Sequence, residues 1–405
     1  MLCGENRMDQ EDGSKRSNKM TTEDRNRQLH ALLSEAVDGD QPIAEDRDPY
    51  DIVIYHVGGD GDYGPVQNVI DRFEKNCLLV IFDIRDDTDE VTISSEEVAD
   101  SGSGVRKLFV NIGIGGSAGK SPFHINKYPL SSSMFPPSSA TMDDHVLFRA
   151  HVPPYEQITT WGQNTELASR IEVDVVTIDD VVNSGIAPPP DILSMDIQGA
   201  EYAAFLGGSR AIKNSVLCTV TEIEYTEIYA GQGMFVDQIK LLTENGFRLV
   251  DVLNQQYWYT GEASGKGFLT MGEAIFFRLP ETGFPDTISS EEVFPKLAKL
   301  LGIAYAFERY SFSNKIIATL ENEYPDEFRV LEKRPEFNDV IKHYRWVQDH
   351  KEDYKKDNHY FLKAERKAAR LPLIYRLARV IWRALPYRVR YQLRYRRRGH
   401  YWGEI

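Results

Sequence analysis

The sequence predicts a doubly wound α/β sheet with helices on both faces. From residue 52 onward, short apolar runs rich in β-branched residues alternate with amphipathic segments, and two further strands close the series. Strands that alternate with helices form a mostly parallel sheet, and the closing pair adds an antiparallel strand. The chain has 405 residues, 41% of them hydrophobic, which allows two or three structural units around a substantial core.

Composition divides the chain into four predicted parts. Residues 1–48 are polar and charged, and they are predicted to form a disordered tail. The α/β domain is predicted over residues 49–283. A helical extension is predicted over 284–367, and a basic amphipathic tail over 368–405.

The net charge of −15 conceals an uneven distribution of charge. Residues 363–405 carry 13 basic and 2 acidic side chains, whereas the rest of the chain carries 34 basic and 60 acidic ones, a net charge of −26. The 3 cysteines include no C-x-x-C pair, which favours a reducing compartment and gives no thiolate metal site. No apolar run reaches the ~18 residues that would span a bilayer, so a cytoplasmic location is predicted.

The first elements predict a site for an adenosine group. A strand with the sequence DIVIYHV begins at Asp51, a glycine-rich loop follows over 58–64, and after a helix a second strand ends at Asp83. Loop glycines let the backbone approach the ligand, and a carboxylate at the end of the second strand accepts hydrogen bonds from ribose hydroxyls. The residues predicted to bind the cofactor here are Gly58, Gly59, Asp60, Gly61 and Asp83.

The acidic side chains of the loop distinguish between adenosine cofactors. Asp60 and Asp62 would repel a pyrophosphate, since two unit charges 4 Å apart repel by about 1 kcal/mol even in water. S-adenosyl-L-methionine has no phosphate and carries a sulfonium and an ammonium group. The loop therefore favours S-adenosyl-L-methionine over a nicotinamide dinucleotide.

The middle of the chain predicts two more strands and a long loop. A strand with the sequence LFVNIGIGG begins at Leu108, and RIEVDVVTIDDVV, from Arg170, contains a strand and the start of a helix. Between them, the serines at 131–133 belong either to a plain loop or to a lid over a substrate. Three histidines of this region are alternative candidates for a general base: His124, His145 and His151.

An acidic segment after the middle of the chain predicts the mouth of the site. PDILSMDIQGAEYAAFLGG reads as a buried strand ending at Asp196, a turn, and a helix that begins at Glu201 and stops at Gly207-Gly208. The next strand carries Glu222 and Glu224 near its end. Side chains at the carboxyl ends of parallel strands line the ligand crevice, although Glu201 could equally be an acid that favours a helix N-terminus. Carboxylates at one edge could bind a divalent cation, but no ligand spacing specifies one, and no metal site is predicted.

These segments together resemble the FkbM-type methyltransferases, a branch of the S-adenosylmethionine-dependent Rossmann-like enzymes. The resemblance covers about Ile52 to Arg278 and is strongest in DILSMDIQGAEYAAFLGG. It continues in LFVNIGIGGSAGKSPFHINKYPLSSSM, RIEVDVVTIDDVV and VTEIEYTEIY. It implies a Rossmann-like, doubly wound class I methyltransferase sheet that binds S-adenosyl-L-methionine.

The chain also departs from the pattern of that family. His56 stands where an acid usually precedes the loop, and Gly59-Asp60 replaces a common Ala-Asn pair. Asp83-Ile84 replaces the usual Glu-Pro, and Gln198 stands where Glu is frequent.

The resemblance implies O-methylation of a hydroxyl on a sugar, glycan or secondary metabolite. Positioning of the donor carbon and the acceptor oxygen supplies much of the rate, and a nearby base accelerates the transfer ~10²–10⁴-fold. We expect Asp196 to face the reacting centre and to be one of the cofactor-binding residues, and we expect Glu222 to act as base or acceptor ligand. Glu201 is expected to hold the turn or orient the acceptor.

The last residues predict a contact with a partner. Apolar residues line one face of a helix predicted over Leu371–Leu385, arginines line the other, and more arginines follow to Arg398. Such a segment fits an anionic membrane surface, which would place the protein at the inner membrane face. The alternatives are a phosphorylated glycan, an acidic surface of this protein, or a solvated end. No nucleic acid is expected, because the acidic body opposes it.

Two other functions stay open from the sequence. One is a catalytically silent module that binds S-adenosyl-L-methionine and acts as a scaffold in membrane glycan synthesis. The other is a nucleotide-sugar oxidoreductase, which the acidic loop disfavours.

Overall fold

The computed structural model describes residues 47–59, 63–84, 93–97, 105–146, 160–261, 267–285 and 288–350. Its strands are β1 (Ile52–Val57), β2 (Cys77–Asp83), β3 (Ile93–Glu97), β4 (Arg106–Asn111), β5 (Gly113–Ile114), β6 (Gly119–Asn126), β7 (Asp144–His145), β8 (Leu167–Val176), β9 (Ile192–Met195), β10 (Cys218–Glu224), β11 (Phe247–Thr260) and β12 (Phe268–Arg278). Its α-helices are α1 (Gln67–Phe73), α2 (Trp161–Asn164), α3 (Ile178–Ser184), α4 (Glu201–Gly207), α5 (Ser209–Asn214), α6 (Phe235–Glu244), α7 (Pro280–Gly283), α8 (Ser290–Ala306), α9 (Tyr310–Glu323), α10 (Pro325–Leu331) and α11 (Pro335–Asp349). Several predictions lie outside the described residues: the tail over 1–48 but for its last two residues, the loop residues Asp60 and Gly61, the candidate base His151, residues 351–367 of the helical extension, and the basic tail.

Nine strands form the main sheet, in the order β3-β4-β2-β1-β9-β10-β12-β11-β7. The five strands from β4 to β10 are parallel, and β12 is antiparallel to both of its neighbours. The predicted α/β class, with a mostly parallel sheet and an antiparallel strand in its closing pair, is confirmed. The chain divides into two compact units, residues 1–341 and 342–405.

The direction in which the chain fills the sheet reverses beside β1. From β1 the chain moves outward through β2 and β4, and it later returns to place β9 on the other side of β1. In an open α/β sheet, ligands bind outside the carboxyl ends of the strands where the order reverses. The candidate ligand crevice therefore lies beyond Val57 and Met195, at the carboxyl ends of β1 and β9.

The central strands are buried along their whole length. Every residue of β1 and β9 is buried, as is all of β2 except its last residue, Asp83. Strands covered on both faces read as continuous apolar runs rather than alternating ones, which is how the sequence predicted them. Asp83 is half-buried because it lies where the strand leaves the core.

Helices cover both faces of the sheet. On one face, Phe205 of α4 and Leu242 of α6 belong to the same apolar core as Leu193 of β9. On the other, the Phe277 ring of β12 packs against Phe307, just after α8, with the ring centroids 5.7 Å apart. None of the helices in the described part of the chain is long and apolar enough to span a membrane.

The strand predicted from Leu108 is two strands in two sheets. β4 ends at Asn111 and pairs with β2, whereas β5 begins at Gly113 and pairs with β8 in a second, three-stranded sheet. The prediction of one continuous strand was wrong, because residue 112 leaves the main sheet. Other predicted boundaries are confirmed: α4 ends at Gly207, and α6 ends before Asn245-Gly246.

Candidate active site

Three neighbouring strands bring the predicted cofactor and acid residues to one edge. Gly58 follows β1, Asp83 ends β2, and Asp196 follows β9. The strands are adjacent and parallel, and strands in a sheet lie about 4.8 Å apart, so the ends of β2 and β9 are roughly 10 Å apart. An adenosine group can span that distance.

Gly58 brings the loop into direct contact with the backbone of Asp196. It has a φ of +79°, and a Cβ atom there would lie less than 3.0 Å from the Asp196 carbonyl oxygen. The Gly58 N–H donates to Phe82 O at 2.9 Å, and the Asp196 N–H donates to Val57 O at 3.0 Å. Only glycine fits this position.

His56 supports the same loop through a contact of its imidazole ring. The ring is buried, with Nε2 3.3 Å from Gly59 O and Nδ1 3.0 Å from Ser194 Oγ. A carbonyl oxygen only accepts, so Nε2 carries the proton, and in the neutral ring Nδ1 accepts from the Ser194 hydroxyl. His56, which replaces the acid usual in the resembled family, therefore positions the loop.

Glu201 closes the turn after β9. Its carboxylate accepts hydrogen bonds from Ile197 N at 2.7 Å and Gly199 N at 3.0 Å, across a turn in which Gln198 has a φ of +55°. The side chain is buried, and burial raises the pKa of Glu201 to about 8. These are the contacts expected of a residue that holds the turn.

Gln198 links the carboxylates of two strands. Its Nε2 donates to Asp196 Oδ1 at 2.6 Å and to Glu222 Oε2 at 2.9 Å. The hydroxyl of Tyr229 lies 2.9 Å from Gln198 Oε1 on the other side of the amide. Neither Gln198 nor Tyr229 was among the site residues predicted from the sequence.

Glu222 and Glu224 lie on the same face of β10, two residues apart. Glu222 is partly exposed, and burial together with the neighbouring carboxyl groups of Asp196 and Glu224 raises its pKa well above the ordinary value. Glu224 is fully buried, and burial followed by the charges of Glu201 and Asp196 raises its pKa as well. Asp196 itself is exposed. The edge thus gathers four carboxyl groups.

Comparison with known proteins shows which family this part of the chain resembles. Residues 59–249 match the family model of the methyltransferase FkbM domain. The chain carries an FkbM methyltransferase domain. The predicted family resemblance is confirmed, and the matched residues include Asp83, Asp196, Glu201 and Glu222. No curated protein and no solved structure matches the chain.

In the loop of the FkbM domain, the spacing of the glycines does not distinguish between the two cofactors, whereas the charge of the loop does. Gly59, Gly61 and Gly64 have the G-x-G-x-x-G spacing that dinucleotide-binding loops use. Only the negative charges of Asp60 and Asp62 therefore disfavour a pyrophosphate in this loop.

The serine run of the FkbM domain supports the acidic turn. The Ser133 hydroxyl donates to Gln198 O at 2.7 Å, and the Ser131 hydroxyl donates to Tyr128 O at 2.7 Å. Both serines are buried. The sequence predicted either a plain loop or a lid over a substrate for residues 131–133, and these contacts favour the loop.

Two of the three candidate histidines, His124 and His145, lie apart from the hydrogen bonds around Asp196. His124 is on β6 with its Nδ1 3.3 Å from Ser133 O, and His145 is on β7 at the outer edge of the main sheet. His151 lies outside the described residues.

Removal of the Ser133 hydroxyl tests the support of the turn. We expect Ser133→Ala to lower the free energy of unfolding by about 1–3 kcal/mol, because the buried Gln198 carbonyl loses its partner. Urea denaturation followed by circular dichroism measures the change. Ser139→Ala, at an exposed serine of the same loop, serves as the control. Equal midpoints for the two variants would contradict the structural role.

Proposed function

We propose that the protein is an S-adenosyl-L-methionine-dependent methyltransferase that methylates a hydroxyl on a sugar, glycan or secondary metabolite. One observation carries the proposal: the loop at Gly58, the carboxylate of Asp83 and the carboxylate of Asp196 share one edge where the strand order reverses. The antiparallel β12, inserted between β10 and β11, supports a Rossmann-like class I sheet.

The loop fits an adenosine cofactor on steric grounds. Among the described residues, only His56 Nε2 comes as near as 4.0 Å to the place where a Cβ atom of Gly59 would stand, which leaves room there for a ligand. Gly58 and Gly59, with Asp60 and Gly61 of the same loop, would hold the cofactor, and Asp83 would accept hydrogen bonds from the ribose. When bound, S-adenosyl-L-methionine supplies a methyl group on a sulfonium.

The carboxylates beyond β9 and β10 suit the acceptor half of the crevice. The exposed Asp196 side chain orients the acceptor hydroxyl, and Glu222 takes its proton. A base works best when its pKa is close to the working pH, and the pKa of Glu222 is raised in that direction. The side-chain amide of Gln198 bridges both carboxylates, and Glu201 keeps the turn rigid.

Calorimetry tests the cofactor assignment. We expect the full chain to bind S-adenosylhomocysteine and to give no heat with NAD. Asp83→Ala should weaken S-adenosylhomocysteine binding roughly 10- to 100-fold, since a hydrogen bond to a charged group contributes about 1.5–3 kcal/mol and 1.4 kcal/mol is tenfold. Asp326→Ala, at an exposed acid paired with Arg329 on α10, should bind like the wild type.

The same titrations separate the competing functions. Binding of NAD in place of S-adenosylhomocysteine would favour the nucleotide-sugar oxidoreductase. Binding of S-adenosylhomocysteine without turnover over a wide panel of hydroxylated acceptors would favour the silent scaffold.

We further propose that the basic residues between Leu371 and Arg398 bring the enzyme to the cytoplasmic face of an anionic membrane. The charge of residues 363–405 supports this. We expect the full chain to float with liposomes that contain anionic lipid and a variant lacking residues 371–405 to remain in the soluble fraction. Equal flotation of both proteins would contradict the proposal.

A further inference from the structure

Three carboxylates at the crevice are close enough to share one ion. Asp196, Glu201 and Glu222 each offer one carboxylate oxygen, and these oxygens lie within 4.8 Å of one another. Ligands of a divalent cation lie about 2.1–2.4 Å from it, so two of them are at most about 4.2–4.8 Å apart. The separation of each pair of oxygens is therefore within the range that two ligands of one cation can have.

Glu224 gives an independent indication of a missing positive charge. Its side chain is 0% exposed, and neither carboxylate oxygen has a hydrogen-bond partner. It projects from the same face of β10 as Glu222. A buried carboxyl group without a partner is unfavourable, and it must either take up a proton or have an opposite charge nearby.

No basic side chain of the described residues supplies that charge. None of the ion pairs among them includes Asp196, Glu201, Glu222 or Glu224.

The amide of Gln198 can supply a fourth oxygen. The Tyr229 hydroxyl has one proton, yet two acceptors lie 2.9 Å away, Ser131 O and Gln198 Oε1. The orientation of a glutamine amide is assigned from its partners. In the reversed orientation, Gln198 Nε2 donates to the Tyr229 oxygen, the Tyr229 proton goes to Ser131 O, and Oε1 turns toward Asp196 and Glu222.

We propose that Asp196, Glu201 and Glu222, with Gln198 Oε1 in the reversed orientation, bind one divalent cation of the Mg²⁺, Mn²⁺ and Ca²⁺ class. Glu224 adds a buried negative charge beside the ion. These cations prefer carboxylate and amide oxygens, which is the donor set present. Cation binding itself does not depend on the methyltransferase function. A role in lowering the pKa of the acceptor hydroxyl rests on the proposed function.

Binding of Mn²⁺ alone tests the site. The full chain is treated with a chelator, dialysed and titrated with Mn²⁺, and free Mn²⁺ is counted by electron paramagnetic resonance. We expect one strongly bound ion per chain. Glu222→Gln and Asp196→Asn should each weaken binding at least tenfold, and Glu244→Gln, at an exposed acid at the end of α6, should leave it unchanged. Competition by Mg²⁺ and Ca²⁺ then ranks the three ions.

The proposal is overturned if the wild type binds no stoichiometric Mn²⁺, or if both variants bind it as tightly as the wild type. Asp196→Asn keeps the test valid if Glu222→Gln fails to fold, because the Asp196 side chain is exposed. Calorimetry with S-adenosylhomocysteine on the same samples separates the two proposals. A protein that binds S-adenosylhomocysteine but no Mn²⁺ refutes the cation site alone, and the reverse pattern refutes the proposed function alone.

Discussion

Gly58→Ala is expected to lower the free energy of unfolding by about 2–5 kcal/mol and to abolish S-adenosylhomocysteine binding. A left-handed backbone conformation costs a residue with a Cβ atom about 1–2 kcal/mol. The new methyl group would also meet the Asp196 carbonyl oxygen, and relief of such a clash by backbone movement costs about 1–3 kcal/mol more. The movement would separate the ends of β1 and β9, where the cofactor loop begins.

Gly59→Ala is the matched control for this prediction. Gly59 has a φ of +68°, close to that of Gly58, but in the described part of the chain an added Cβ atom would have only His56 Nε2 near it, at 4.0 Å. We therefore expect a loss of about 1–2 kcal/mol from the backbone alone. Urea denaturation of both variants gives the difference, which measures the contact with Asp196. Equal losses of stability would show that this contact does not matter.

Lys299→Met is expected to lower the free energy of unfolding by about 3–5 kcal/mol. The Lys299 ammonium on α8 lies 2.9 Å from Asp191 Oδ2, and the side chains are 15% and 5% exposed. Removal of one partner leaves the other charge buried and unpaired, which is the costly way to break an ion pair. The same Asp191 oxygen accepts a hydrogen bond from Val53 N at 2.9 Å, so loss of the ion pair would also destabilise the start of β1.

Two variants test whether burial is the cause. Lys315→Met removes the partner of Glu281 in an exposed pair, and we expect a change of about 0–1 kcal/mol. The double variant Asp191→Asn/Lys299→Met should recover part of the loss, because no charge is then left buried. Chemical denaturation monitored by tryptophan fluorescence measures all three. A double variant no more stable than Lys299→Met would exclude the unpaired Asp191 charge as the origin.

The residues found from the sequence were those whose position follows from a strand end. Asp83, Asp196 and Glu222 close or follow apolar runs, and parallel strands bring their carboxyl ends to one edge whatever the loops do. Pattern and spacing are local properties, so they predicted the sheet, its closing strands and the acidic edge.

The supporting residues could not be found in this way because their contacts join distant segments. Ser133 and Gln198 are 65 positions apart, and Gln198 and Tyr229 are 31 apart. Nothing in a serine run or a lone tyrosine specifies such a partner. The split between β4 and β5 was missed for a similar reason, since it depends on pairing with β8 some sixty residues later.

The seam between β1 and β9, where the strand order reverses, is held at both ends. At one end Asp191 binds Val53 N, and at the other the Gly58 backbone packs against that of Asp196. A doubly wound sheet can in principle come apart at this seam into two halves. Here the halves should unfold as one cooperative body, so that amide hydrogens of β1 and β9 exchange with a single opening free energy.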